Sequence, residues 1–99
     1  MEFKELNDKI IQWAKQRDIL TISPIRESLK TSEELLELQN AIMTNDKEEI
    51  IDAIGDITVS LIIQAEMQGL DFTDCLNSAF NVIKNRTGKI INGQFVKDK

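Results

Sequence analysis

Ninety-nine residues with a net charge of −5, 41% hydrophobic and 29% charged, make one domain around a single small core. The absence of histidine and the single cysteine, Cys75, exclude a disulfide framework, a thiolate cluster and the usual zinc chemistry. An acidic chain with no basic stripe offers nucleic acid no phosphate neutralisation, and the longest apolar stretch, 57–65, is too short to span a bilayer.

The N-terminus is acidic and amphipathic and lacks the pattern of a signal peptide, so the cytoplasm is the expected location. Phe3, Leu6, Ile10, Trp13 and Ala14 fall at helical spacing and predict a first helix over about 2–17. Trp13 reads as a core or interface anchor. Residues 18–23 read as a loop, and Ser23-Pro24 as an N-cap followed by proline at the first helical position. The pattern from Pro24 to Met43 suits one helix or two shorter ones divided at Thr31-Ser32.

Thr44-Asn45-Asp46 is a short polar break, and Asp46-Lys47-Glu48-Glu49 has the form of a capping box. The next helix, from Lys47 to about Gln68, is the most apolar in the chain and ends where Gly69 supplies a C′ residue. Apolar residues on nearly every side predict burial all round, and hence an oligomer. Gly55, inside this helix, predicts a close backbone approach or tight helix packing. Asp71 caps a further helix to about Asn85, with Phe72, Leu76, Ala79, Phe80 and Ile83 inward. In the tail, Asn92-Gly93 between apolar pairs predicts a short β-hairpin that docks on the body or on a neighbouring subunit. The expected fold is all-α, a four- to five-helix bundle over 1–99 with a hairpin over 87–99.

The chemistry concentrates between Glu33 and Asp56. Glu33, Glu34 and Glu37 share a face on one helix, and Glu49, Asp52 and Asp56 lie in one row on the next. If the faces meet, several carboxylates converge and need a cation. Asp52 and Asp56 sit in a segment that reads as buried, where an unpaired carboxylate is very costly, and no lysine or arginine lies between Lys47 and Lys84. All-oxygen donors suit Mg²⁺ or Mn²⁺. Glu49 serves equally well as the capping-box residue or as a supporting member of the metal site.

Glu33-Glu34-Leu35-Leu36-Glu37 resembles the EExxE element of the MazG-like, all-α nucleoside triphosphate pyrophosphohydrolases, and Ile54-Gly55-Asp56 before an apolar helix resembles their second element. The resemblance extends to Gln12-Trp13-Ala14, to Gly69-Leu70-Asp71, and to the ending Asn85-Arg86-Thr87-Gly88-Lys89 with Asn92-Gly93. It is nearest to the short single-domain proteins of bacteria and phages. It implies a homodimer or homotetramer that binds Mg²⁺ and hydrolyses a nucleoside triphosphate to the monophosphate and pyrophosphate. By position, Glu34, Glu37 and Asp56 are the implied metal ligands, with Glu33 or Glu37 orienting the attacking water. The family's ExxD has Ala53 here where glutamate is expected. Either Asp52 supplies the missing oxygen, or Glu49-Ile50-Ile51-Asp52 is itself the element. Of the family's phosphate-binding lysine and arginine, the first falls on Val82 and the second fits Arg86; Lys84 or Lys89 could compensate, and Asn81 could bond the nucleotide. Two alternatives stay open: a related pyrophosphohydrolase acting on a phosphoribosyl-linked nucleotide or an alarmone, and a non-catalytic helical oligomer that binds a nucleotide or a protein.

Overall fold

Four α-helices and a C-terminal hairpin follow one another along the chain in a computed structural model that describes residues 1–99. Helix α1 spans Phe3–Gln16 and gives way, through Asp18 in a left-handed conformation, to a single 3-10 turn at Ile19–Thr21. Helix α2 runs unbroken from Pro24 to Met43, with Ser23 at its N-cap and Pro24 at its first position. The division at Thr31-Ser32 does not occur. The hydroxyls of Thr31 and Ser32 donate back to the carbonyls of Glu27 and Ser28 within the same helix, so neither is free to cap a new one.

Asn45 takes the left-handed C′ conformation that ends α2, and the amide of Asp46 reaches back to the Ala41 carbonyl at 2.9 Å. Helix α3, Lys47–Met67, starts at once, with the Asp46 carboxylate accepting from the Glu49 amide at 3.2 Å. It ends in the same manner as α2. Gly69 has φ +72°, and the amides of Gly69 and Leu70 satisfy the Glu66 and Ala65 carbonyls. Helix α4, Phe72–Ile83, is capped by Asp71, which accepts from the amides of Thr73 and Asp74. Strands β1, Gly88–Ile91, and β2, Gln94–Lys97, pair antiparallel from Gly88 opposite Lys97 to Ile91 opposite Gln94. Both Asn92 and Gly93 have positive φ, as the two-residue turn between twisted strands requires. Gly88 is needed for a different reason: a Cβ there would collide with the Val96 carbonyl and the Phe95 ring.

The most extensive packing joins α2 to α3 as a helical hairpin, and α1 lies on α3. Small residues let the helices approach: Ala14, Ala41, Ala53 and Ala65 are buried, together with Ile62 and Ile63. Helix α4 lies beside α3 and meets α1 through its first residue, the Phe72 ring standing 6.0 Å from that of Phe3, and the hairpin packs on no helix. No residue beyond Ala65 is buried.

Within the single chain α3 is not enclosed on all sides, and the burial all round that its pattern predicts would need a second copy. Ile51, Ile54 and Leu61 are exposed, and so are Asp52 and Asp56. Nothing lies within 4 Å of a Cβ built on Gly55, so neither close approach nor packing within one chain accounts for it. The radius of gyration is 16.1 Å, against about 13 Å for a compact domain of this length. The accessible surface is 7829 Å² for 11.3 kDa, against roughly 5,700 Å² for a compact monomer of that mass. No helix is long and apolar enough to cross a membrane.

Candidate active site

Along one side of α2, Glu27, Lys30 and Glu34 follow at three- and four-residue spacing, and along α3 Asp56 and Ser60 do the same. Where these rows face each other they border a cavity of about 220 Å³, closed by Trp13 of α1 and by Ile19, Val59 and Ile63. The cavity therefore has a polar side supplied by the helical hairpin and an apolar side supplied mainly by α1 and the middle of α3.

Glu34 is the electrostatic focus. Its Oε2 is buried and has no hydrogen-bond partner. Partial burial, followed by the negative charges of Asp56 and Glu37, raises its pKa above the ordinary carboxylate range, and Lys30 acts in the opposite direction. Asp56 and Glu37 thus act against the charged form of Glu34, one of whose oxygens lacks a donor, and a divalent cation is a species that relieves both conditions. No three acidic side chains draw close enough to enclose an ion by themselves. The arrangement fits a cation that is shared with water and with a phosphate-bearing substrate, as Mg²⁺ usually is.

The other expected site residues are distributed less tightly. Glu33 is exposed and is not among the charges that act on Glu34. Glu49 and Asp52 are exposed and also outside that group. The capping box is only half formed, because the Asp46 amide goes to Ala41 and not to the Glu49 side chain. Ala53 is 1% exposed within the helical packing, one turn before Asp56, so a methyl group fills the place where the ExxD pattern has a carboxylate. Asn81, Lys84 and Arg86, on α4 and just beyond it, are exposed and line no part of the cavity.

Positive charge reaches the cavity from one residue that spacing did not single out. Lys30 lines it and forms no ion pair, since the one salt bridge in the chain joins Lys4 to Asp8 at 3.0 Å. The Arg17 guanidinium lies 4.7 Å over the Trp13 ring and donates to the Trp13 carbonyl. Glu27 and Ser60 are likewise new members, both buried. The signal for Glu27 and Lys30 was their place on the Glu34 stripe, seven and four residues upstream; without a partner helix that stripe reads only as a mixed polar face.

A small helical protein with carboxylates and a lysine around a cleft has the equipment of a metal-assisted nucleotide hydrolase. Residues 3–81 match the phosphoribosyl-ATP pyrophosphohydrolase family, and the chain belongs to it, within the MazG-like all-α nucleotide pyrophosphohydrolase superfamily. It is accordingly a pyrophosphohydrolase, a hydrolase of acid anhydrides, in a family that generally uses divalent metal ions. The match includes every carboxylate from Glu27 to Asp56 but stops before Lys84, Arg86 and the hairpin. No curated protein and no solved structure matches the chain.

Proposed function

We propose that the chain hydrolyses a nucleoside triphosphate, ribo- or deoxyribo-, to the monophosphate and pyrophosphate, with Mg²⁺ held by Glu34, Glu37 and Asp56. The observation that carries the reading is the Glu34 carboxylate, its Oε2 without a partner and its charged form disfavoured by Asp56 and Glu37, in the lining of a cavity that also presents Lys30. A bound cation there supplies charge neutralisation for the phosphates and a more acidic water. The protein's own part is to position. Glu37, within the field of Glu34, orients the attacking water, and Glu33 on the outer side of α2 is the alternative. Lys30, in the cavity lining, attracts the phosphate oxygens, and Trp13 forms part of the cavity wall. This resembles the short single-domain MazG-like enzymes, and nucleotide-pool housekeeping is the role that suits it.

The family match favours a second reading, in which the substrate is phosphoribosyl-ATP. That substrate carries an additional phosphorylated sugar on its base. A cavity of about 220 Å³ suits a bare ring better. Pyrophosphate release with Mg²⁺ is to be measured over the common ribo- and deoxyribonucleoside triphosphates and phosphoribosyl-ATP. Turnover of the simple nucleotides supports the first reading; turnover of phosphoribosyl-ATP alone replaces it with the second.

The same proposal includes a homodimer or homotetramer. The chain exposes roughly 2,100 Å² more than a compact monomer of its mass, an excess of the order buried per partner in obligate assemblies. The apolar face of α4 and the undocked hairpin carry much of it. Pairing of two copies through them is also the way in which Asn81, Lys84 and Arg86 reach a site, that of the neighbouring subunit.

A further inference from the structure

Glu27 has no task in the reading above, yet it is 5% exposed in the interior between α2 and α3. One carboxylate oxygen, Oε2, accepts from the Ser60 hydroxyl. Thr31 Oγ1 lies 2.7 Å from Ser60 Oγ, and Gln64 Nε2 donates to Thr31 at 2.6 Å. Ser60 gives its proton to the carboxylate, and the Thr31 hydroxyl, which also reaches the Glu27 carbonyl, accepts from Gln64, so Ser60, Thr31 and Gln64 form one connected polar chain that ends on the Glu27 side chain. The arrangement holds the Glu27 side chain as a fixed acceptor. Its other oxygen, Oε1, accepts no hydrogen bond, and no lysine or arginine pairs with it. Oε1 is not one of the two buried side-chain atoms left without a partner, Asn7 Oδ1 and Glu34 Oε2, so it keeps accessible surface in a residue that lines the cavity, where a donor can reach it.

What it faces is the cavity whose remaining walls include Trp13, Ile19, Val59 and Ile63. One indole and three aliphatic side chains with the Glu27 carboxylate among them suit a planar ring that carries N–H donors. Size agrees: about 220 Å³ is below the roughly 300–1,000 Å³ of pockets for whole drug-sized ligands, so a ring system enters and the remainder stays outside. Glu27 precedes Glu34 by seven residues on one helix, an axial separation of roughly 10 Å. The ring and the phosphates of one nucleotide can then occupy the two ends of this stripe.

We infer that the cavity between α1, α2 and α3 takes the nucleobase and that Glu27 selects bases carrying an amino group. Adenine and cytosine offer an exocyclic amine to Oε1. Uracil and thymine present one ring N–H between two carbonyls, whose oxygens would confront the carboxylate. The inference rests on the proposed nucleotide hydrolysis, so its test includes an arm that needs no turnover.

Trp13 is the only tryptophan in the chain, and its emission reports directly on the cavity. Titration of the metal-free protein with dAMP, dCMP, dUMP and dTMP should change that emission, with the amino-bearing pair binding more tightly by about tenfold or more. With Mg²⁺, the kcat/KM values for dATP and dCTP should exceed those for dUTP and dTTP by a similar factor, mainly through KM. Glu27→Gln keeps the shape and substitutes an amide, which can present donor or acceptor; the preference should collapse while Mn²⁺ binding, followed without nucleotide, stays unchanged. A purely structural Glu27 would lower stability and affect all four bases alike, and that result overturns the inference. So does a wild-type protein with equal affinity for the four monophosphates, which needs no folded variant to observe. Loss of pyrophosphate release with retained base discrimination would instead count against the hydrolytic reading and leave the base site standing.

Discussion

Helices α1 to α3 and the segment from α4 onward were built by the same rules of patterning, but only the first has an interior. All nine buried residues lie between Asn7 and Ala65. In that unit, alanines bring the helices together and a ladder from Gln64 to Glu27 links the hydroxyls of Thr31 and Ser60 between them. Helix α4 has an apolar face as regular as that of α1, yet Leu76, Phe80 and Ile83 stay exposed, and Ile90 and Phe95 on the hairpin do as well. An amphipathic period states that one face must be covered; it does not state by what. The difference teaches that the acids sit in the part of the chain that has an interior, while the apolar faces of α4 and the hairpin are left uncovered within one chain.

The sharpest way to separate the two regions is to remove a carboxylate from the first. Glu34→Gln or Asp56→Asn should lower Mg²⁺-dependent pyrophosphate release by roughly 100-fold or more, with helical circular dichroism and oligomeric mass retained. Equal loss from Asp52→Asn would show that the site extends farther along α3 than the charges acting on Glu34 indicate.

A change in the interior tests stability next. Ile62, 2% exposed, should cost about 2–5 kcal/mol when replaced by alanine, seen as a lower midpoint in urea, whereas Leu76→Ala in a protein kept monomeric should cost far less. The arm is broken differently. Phe80→Asp substitutes a charge for a ring whose burial at an interface contributes about 2 kcal/mol, and light scattering should then report a smaller species with the helix content of α1 to α3 unchanged. A wild-type protein that is already monomeric would contradict the proposed assembly.

The smallest effect is one of pH. The raised pKa of Glu34 means that the folded state holds this proton more tightly than the unfolded one. In metal-free protein its contribution to stability is therefore most favourable below the ordinary glutamate range and declines as pH rises through that range to the raised value. Glu34→Gln should remove this part of the pH dependence and stabilise the metal-free protein near neutrality, as read from unfolding midpoints at several pH values.

Much of this was legible in the chain itself because the signals are local. Asp46, Gly69 and Asp71 end or start helices through bonds within a few residues, and Asn92-Gly93 turns a hairpin by its own backbone preferences. The acids were visible for the same reason, as a helical spacing. Their ranking was not. Asp52 looked buried among isoleucines and is exposed, while Glu27, which looked like one more surface charge, is buried against Ser60. Residue type and period establish which side chains share a face of a helix. Only the packing of α1 and α3 against α2 decides which part of that face is sealed from water, and with it which carboxylates repel, which accept a proton donor, and which remain in solvent.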